Sequence, residues 1–188
     1  MNKQTQRSLA LAARRAMSAA ERASASELIC RALAALPEVQ AAGTVFSYLA
    51  TPEEADLSAL HRRLSERGCR VAFPVTQPGG IMEAFAPDLP WRFERGLMGI
   101  RCPAAECASR VPPEQIDLVL APCVGFDGQC RRLGHGGGYY DRFLPRCTGA
   151  VLLGVAFEAQ RLDSVVCGPL DLPMDAFVTE RGLLRRKK

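Results

Sequence analysis

Residues Asp117–Leu144, DLVLAPCVGFDGQCRRLGHGGGYYDRFL, decide the fold. They open on DLVLAPCV, Asp117–Val124, an almost unbroken apolar run without polar–apolar alternation. A strand that is apolar on both sides is covered on both faces, which is the condition of a parallel strand inside a layered α/β domain. The segment closes on Tyr139–Leu144, which reads as a helix start. Between them stand Gly134, Gly136, Gly137 and Gly138, four glycines within five residues. A glycine-rich turn from strand to helix exposes backbone N–H groups at the positive end of the helix dipole, and so forms a cradle for an anion. Glycine is what allows the backbone to approach a phosphate closely.

Outward from this segment, Gly43–Leu49, Cys69–Pro74, Ile81–Ala86, Leu152–Phe157 and Ala176–Thr179 read as further strands. Gln6–Met17 is helical by propensity. Ser18 and Glu21 have the spacing of a capping box and start a second helix, which runs to about Leu36 and is stopped by Pro37. Asp56 can cap a helix through Arg67 with Leu57, Leu60 and Leu64 on one face, leaving His61 at the surface. Pro87–Pro113, rich in proline and cysteine, yields no assignment. Strands alternating with helices predict an α/β fold, a layered domain with a mostly parallel central sheet flanked by helices on both faces and right-handed crossovers. Residues 1–180 are expected to form that single domain and residues 181–188 a basic tail.

The chain has 188 residues, 48% hydrophobic and 23% charged, in the range of a soluble globular protein of one domain. No apolar run has the length of a membrane span. The net charge of +4 is placed at the end: residues 181–188 hold Arg181, Arg185, Arg186, Lys187 and Lys188, leaving 19 basic against 20 acidic groups elsewhere. Such a tail can touch nucleic acid, but a solvated, frayed end is the expectation. The eight cysteines include no C-x-x-C, and there are two histidines, so the spacing of a structural zinc site is lacking. Cys30 and Cys123 lie in apolar runs where a thiol packs as a small hydrophobe. Reduced thiols and a cytoplasmic location follow. The basic, acid-free start before Glu21 has a transit-peptide flavour, and a structural helix is preferred there.

The glycine loop matches neither a Walker A sequence, for no Lys-Ser/Thr follows, nor G-x-G-x-x-G, because Tyr139 takes the third glycine's place. Arg132 precedes it, Tyr139 and Tyr140 follow, and Asp141 is an acid able to hold Mg²⁺. A ligand-binding loop is the better account than a bare turn.

Ala121–Leu144, with Phe126-Asp127 and then RLGHGGGYYD, resembles the signature of 5-formyltetrahydrofolate cyclo-ligases, also called 5,10-methenyltetrahydrofolate synthetases. The resemblance extends more weakly over nearly the whole chain. It implies ATP- and Mg²⁺-dependent conversion of 5-formyltetrahydrofolate to 5,10-methenyltetrahydrofolate, with ADP and phosphate released. Lys3 and Arg7 match a Lys/Arg pair that grips the ATP phosphates, and four-residue spacing puts both on one helix face. By the same resemblance, Arg132, Leu133, Gly134, His135, Gly136, Gly137, Gly138, Tyr139 and Tyr140 complete the ATP site, and Arg132, Lys3 and Arg7 carry catalysis. Leu49, Glu54, His135 and Tyr139 contact the folate, and Asp141 and Asp171 hold the metal. The family pattern is departed from at Ala55 (usually Val), Met98 (Trp in some members), Cys102 (usually an acid), Cys130 (a turn glycine) and Leu170 (usually His). The expected partners are folate and ATP alone, without membrane or nucleic acid, and a monomer is expected. The alternatives are a diverged relative that binds a phosphorylated ligand without this activity, and a nucleic-acid-binding module working through the basic tail.

Overall fold

The computed structural model describes residues 1–187, and of Met98 the backbone alone. The expectation placed on the Met98 side chain, and Lys188 at the end of the basic tail, lie outside the described residues.

Helix α1 spans Lys3–Ala16 and α2 Ala19–Ala34. The predicted capping box separates them: Glu21 N donates to Ser18 Oγ at 3.2 Å and Ser18 N donates to Glu21 Oε2 at 2.7 Å. Pro37 opens the short helix α3 (Pro37–Ala41), where its missing N–H costs nothing. Helix α4 covers Ser58–Glu66, with Ser58 N donating to Asp56 Oδ1 at 2.9 Å. Helix α5 is the short Tyr139–Phe143.

The strands in chain order are β1 (Thr44–Phe46), β2 (Arg70–Gln77), β3 (Ile81–Pro87), β4 (Phe93–Arg95), β5 (Arg101–Pro103) and β6 (Ala108–Val111). They continue with β7 (Leu118–Pro122), β8 (Gly125–Phe126), β9 (Arg132–Leu133), β10 (Val151–Val155), β11 (Ala176–Thr179) and β12 (Gly182–Arg185). Eight of them form one sheet in the order β12-β11-β10-β7-β1-β2-β3-β6. Its middle, β11-β10-β7-β1-β2, is parallel, and the flanking β12, β3 and β6 are antiparallel. The mixed α/β expectation is borne out.

In β7, Leu118 and Leu120 face one core while Val119 and Ala121 face the other, and all four are fully buried. The first core lies under α2 and α4, with Ile29, Leu33, Leu60 and Leu64. The second holds Phe46, Phe143, Phe126 and Phe177, the last two stacked at 4.5 Å. Gly154 in β10 is the space Phe177 needs, since a Cβ there would sit 2.2 Å from its ring.

Three expectations are corrected. The C-terminal segment is not frayed at its start: Gly182–Arg185 is edge strand β12, paired with β11, and Arg185 reaches Glu38 at 2.6 Å. The unassigned Pro87–Pro113 contains the β4–β5 hairpin and β6, each strand only three or four residues long. His61 is buried, 4% exposed, its Nε2 2.7 Å from Ser47 Oγ and its ring edge-on to Phe73. Burial lowers its pKa from 6.5 to about 4. The folded state therefore favours neutral His61, while the unfolded chain takes up the proton near 6.5. The stability this group contributes is complete above that pH and is lost as pH falls toward 4, by roughly 3 kcal/mol in all. Denaturant melts from pH 7 to 4 should show that slope, and His61→Gln should remove it.

Cys130, standing where the family pattern has glycine, keeps the left-handed conformation with φ 59°. The strain of such a residue is about 1–2 kcal/mol. Its thiol is wholly buried and lies 3.5 Å from the carbonyl oxygen of Leu184 in β12. Cys102 is buried in β5 opposite Glu94.

Candidate active site

After β1 the chain builds outward through β2, β3 and β6, and after β7 it builds the other way through β10 and β11. The neighbours β1 and β7 thus flank the point where the strand order reverses, and ligands of open α/β sheets bind outside the carboxyl ends of such strands. Two loops leave there: Ser47–Leu57 after β1, with Leu49 and Glu54, and the glycine-rich loop reached from β7 through the β8–β9 hairpin.

Asp127 fixes that hairpin. Its fully buried carboxylate accepts from the backbone N–H groups of Gln129 (2.9 Å), Arg131 (3.1 Å) and Val165 (2.7 Å), and from Arg131 Nε at 2.6 Å. Arg132 follows, with its side chain 5% exposed. Its Nη2 donates to Asp141 Oδ1 at 2.7 Å, its guanidinium lies 5.1 Å from the Tyr140 ring centroid, and its buried Nε has no partner. Burial raises the Tyr140 hydroxyl above its ordinary range, with Arg132 pulling it back.

In the loop, Gly136 and Gly138 have φ of +101° and +66°, a region in which other residues are strained. Two loop carbonyls are taken by cations. Arg7 Nε donates to Gly134 O at 2.8 Å, while Arg142 donates to Gly137 O at 2.6 Å and to Gly80 O at 2.9 Å. Arg142 thereby ties the loop to the β2–β3 turn, a contact for which the sequence carries no spacing signal.

Of the residues expected to converge on this loop from afar, Arg7 touches it directly. Glu54 reaches it through His135, whose Nε2 is 3.9 Å from Glu54 Oε1. Lys3 goes elsewhere: its Nζ lies 2.5 Å from Asp171 Oδ2, which also accepts from Gly168 N at 2.6 Å. Burial works to raise the Asp171 pKa, but Lys3, Gly168 N–H and Arg132 outweigh it and hold the carboxyl below its usual range. Arg132 therefore acts on both candidate metal acids. Among the described residues no group of three or more His, Cys, Asp or Glu could hold a metal alone. Mg²⁺ asks for less, one or two carboxylates completed by phosphates and water, and Asp141 and Asp171, each beside a cation suited to phosphate, fit that requirement.

Glu54 is the hinge between the loop and a cleft. Its Oε2 accepts from Thr51 N at 3.0 Å, and its side chain is 12% exposed. Burial pushes its pKa up, but His135, the Thr51 N–H and Arg14 prevail, so the carboxyl stays below its ordinary value. Beyond it opens a cleft of about 1400 Å³ lined by Leu49, His61, Phe73, Trp91 and Phe93. Trp91 and Phe93 both stand edge-on to Phe73, at 5.6 and 5.5 Å, making an aromatic wall. Tyr48 anchors the loop by donating its hydroxyl to Ala55 O at 2.7 Å. Leu133 is buried beneath the loop, and Tyr139 is half-buried with Arg142 5.9 Å from its ring centroid. Arg14, taken from the sequence only as part of a basic start, is 3% exposed and grips Glu53 at 3.1 Å. Its spacing from Lys3 and Arg7, on the same helical face, was the available signal.

Comparisons with known proteins identify the family. The 5-formyltetrahydrofolate cyclo-ligase of Escherichia coli (strain K12) is 30% identical over 149 residues, 76% of this chain and 81% of that protein. The enzyme of the same name from Mycolicibacterium smegmatis is 30% identical over 152 residues, 75% of this chain and 76% of its own length. The solved structure of Aquifex aeolicus 5,10-methenyltetrahydrofolate synthetase superposes with a TM-score of 0.87 at 31% identity, covering 100% of this chain and 94% of that one. A family model described as the 5-formyltetrahydrofolate cyclo-ligase family matches residues 1–180, a span that takes in both loops, the cleft, Asp171 and the whole of α1, and the chain belongs to that family.

Proposed function

We propose that the chain converts 5-formyltetrahydrofolate to 5,10-methenyltetrahydrofolate, using Mg·ATP and releasing ADP and phosphate. The observation that carries this is the meeting, at the strand-order reversal, of the Arg132–Asp141 loop with Arg7 on one side and Glu54 and its aromatic cleft on the other.

The formyl oxygen on N5 is a poor leaving group. It attacks the γ-phosphorus of ATP, and the bond to the bridging oxygen breaks, releasing ADP. N10 then attacks the formyl carbon and gives up its proton. The C–O bond breaks with its electron pair on phosphate, leaving the ring closed. Both nucleophiles belong to the substrate, so the protein's work is positioning and charge neutralisation.

Loop N–H groups from Gly134 to Tyr140, with Arg7, Lys3 and Arg132, would bind the phosphates. Asp141 and Asp171 would hold Mg²⁺, which supplies neutralisation of charge on the transferring phosphoryl group. Phosphate would then take Lys3 and Arg132 from their present partners, Asp171 and Asp141, freeing those carboxylates for the cation. Glu54 would accept hydrogen bonds from the pterin, with Leu49, His135 and Tyr139 around it and the aromatic wall against the rest of the folate. His135 and the second hydroxyl, Tyr140, bind rather than transfer protons. Cys123 takes no part as a nucleophile, because burial pushes its thiol up to about 12. We further read residues 1–180 as one domain and the protein as a cytoplasmic monomer. All eight cysteines are free thiols, in keeping with a reducing compartment.

The test is direct. Purified protein with 5-formyltetrahydrofolate and Mg·ATP should show the ultraviolet absorbance of the methenyl product growing in step with ADP. Well-folded protein that produces no absorbance change would instead be a diverged relative that binds without turnover.

A further inference from the structure

Among the described residues, Arg14 has two buried side-chain nitrogens without a partner, Nε and Nη1. Its side chain is 4% exposed, and Nη2 is 3.1 Å from Glu53 Oε2. A buried donor left unmade costs about 1–3 kcal/mol, and more when charged. Glu53 does not balance it alone, because the same carboxylate also takes Arg15 Nε at 3.1 Å. Two guanidiniums share one acid. Arg15, 63% exposed, can turn its remaining donors to water; Arg14 cannot.

Its position lies between the two halves of the site. Lys3, Arg7 and Arg14 lie along one face of α1, and Arg14 stands about 10 Å beyond Arg7 along the axis. Arg7 touches the glycine loop and Arg14 touches the Glu53–Glu54 loop, so the row runs from the phosphate side of the site to the folate side. Arg132, Arg14 and Glu54 are the charges that act on buried Cys123, at the end of β7. Arg132 there has an unpartnered Nε of its own. Arg132 keeps Asp141 and Arg14 shares Glu53 with Arg15, so each guanidinium still carries buried donors to spare.

We propose that Arg14 is a catalytic residue of this site, its free Nε and Nη1 hydrogens binding the phosphoryl group as it passes from ATP to the formyl oxygen. This rests on the proposed function above. A donor aimed at charge that develops only during transfer lowers the barrier without tightening either substrate. Arg14→Met should therefore lose about 100-fold in kcat, with the KM values for ATP and for 5-formyltetrahydrofolate each within about threefold of wild type. Arg14→Lys, which restores a point charge without the fork, should recover about tenfold of that loss. Arg15→Met, which removes an equal charge from the same carboxylate, should keep kcat within about threefold.

Each variant is compared at a temperature well below its own melting point. Should Arg14→Met not fold, Arg14→Lys against Arg15→Met decides, since the lysine variant must still fall at least several-fold below wild type in kcat. A folded Arg14 variant with wild-type kcat overturns the proposal. So does a loss confined to either KM, or an equal loss in Arg15→Met. Wild-type protein without product would sink the proposed function itself, whereas active wild type with unimpaired Arg14 variants sinks only the role of Arg14.

Discussion

Asp141→Asn should reduce Mg·ATP-driven formation of the methenyl product by on the order of 10³-fold, while folate binding, measured by calorimetry, stays within a few-fold of wild type. The substitution is chosen from the geometry. Asp141 is 27% exposed and accepts Arg132 Nη2 at 2.7 Å. Asparagine keeps an oxygen in that place, so Arg132 stays anchored over Tyr140, but the charge that would hold the metal is gone. Asp141→Ala is the informative contrast. It leaves Arg132, already without a partner at Nε, with nothing on Nη2, and an additional loss of about 1–3 kcal/mol in stability is expected. Equal activity losses in the two variants, with a lowered melting point only in the alanine one, would separate the metal role from the anchoring role. Raising Mg²⁺ should restore little in either. Normal turnover in Asp141→Asn would remove Asp141 from the metal site.

What could be read from the chain depended on how local the signal was. The parallel strand at Leu118–Pro122 declares itself because burial on both faces leaves no polar residue within it, and the glycines after it because positive φ at Gly136 and Gly138 limits the choice of residue. The Ser18 capping box is likewise a contact within four residues. The β4–β5 hairpin was illegible because strands of three residues are too short to show a period. Strand β12 was hidden behind its arginines. A backbone ladder does not consult side chains, and Arg185 finds Glu38 at a sequence distance no spacing rule covers. His61 looks like a surface residue from its helix and is buried because Phe73 and Ser47 come to it from the sheet. The site divides in the same way. The loop was visible as a segment, whereas the pairings Lys3–Asp171 and Arg14–Glu53 join residues distant in the chain. Basic residues at an N-terminus look the same in sequence whether they face water or a ligand.

Glu54→Gln tests the other half of the site, and its effect should fall on the folate alone. The carboxylate is nearly enclosed yet ionised, held by the Thr51 N–H and by His135 and Arg14. An enclosed carboxylate that accepts from a pterin makes charge-assisted hydrogen bonds worth about 1.5–3 kcal/mol each. Glutamine offers one oxygen and turns an amide donor toward groups that are themselves donors. The KM for 5-formyltetrahydrofolate should rise about 10- to 100-fold, at roughly 1.4 kcal/mol per decade, and the KM for ATP should stay within about twofold. The pH profile gives a second readout with a definite sign. Because the Glu54 carboxyl lies below its ordinary range, wild-type folate affinity should be complete at neutral pH and fail only in acid below about 4.5. That acid limb should be missing from the glutamine variant, which has no carboxylate there to protonate. A variant that instead loses ATP affinity, or keeps the wild-type folate KM and acid limb, would place the folate away from Glu54 and leave the aromatic cleft of Phe73, Trp91 and Phe93 without the anchor that connects it to the phosphate loop.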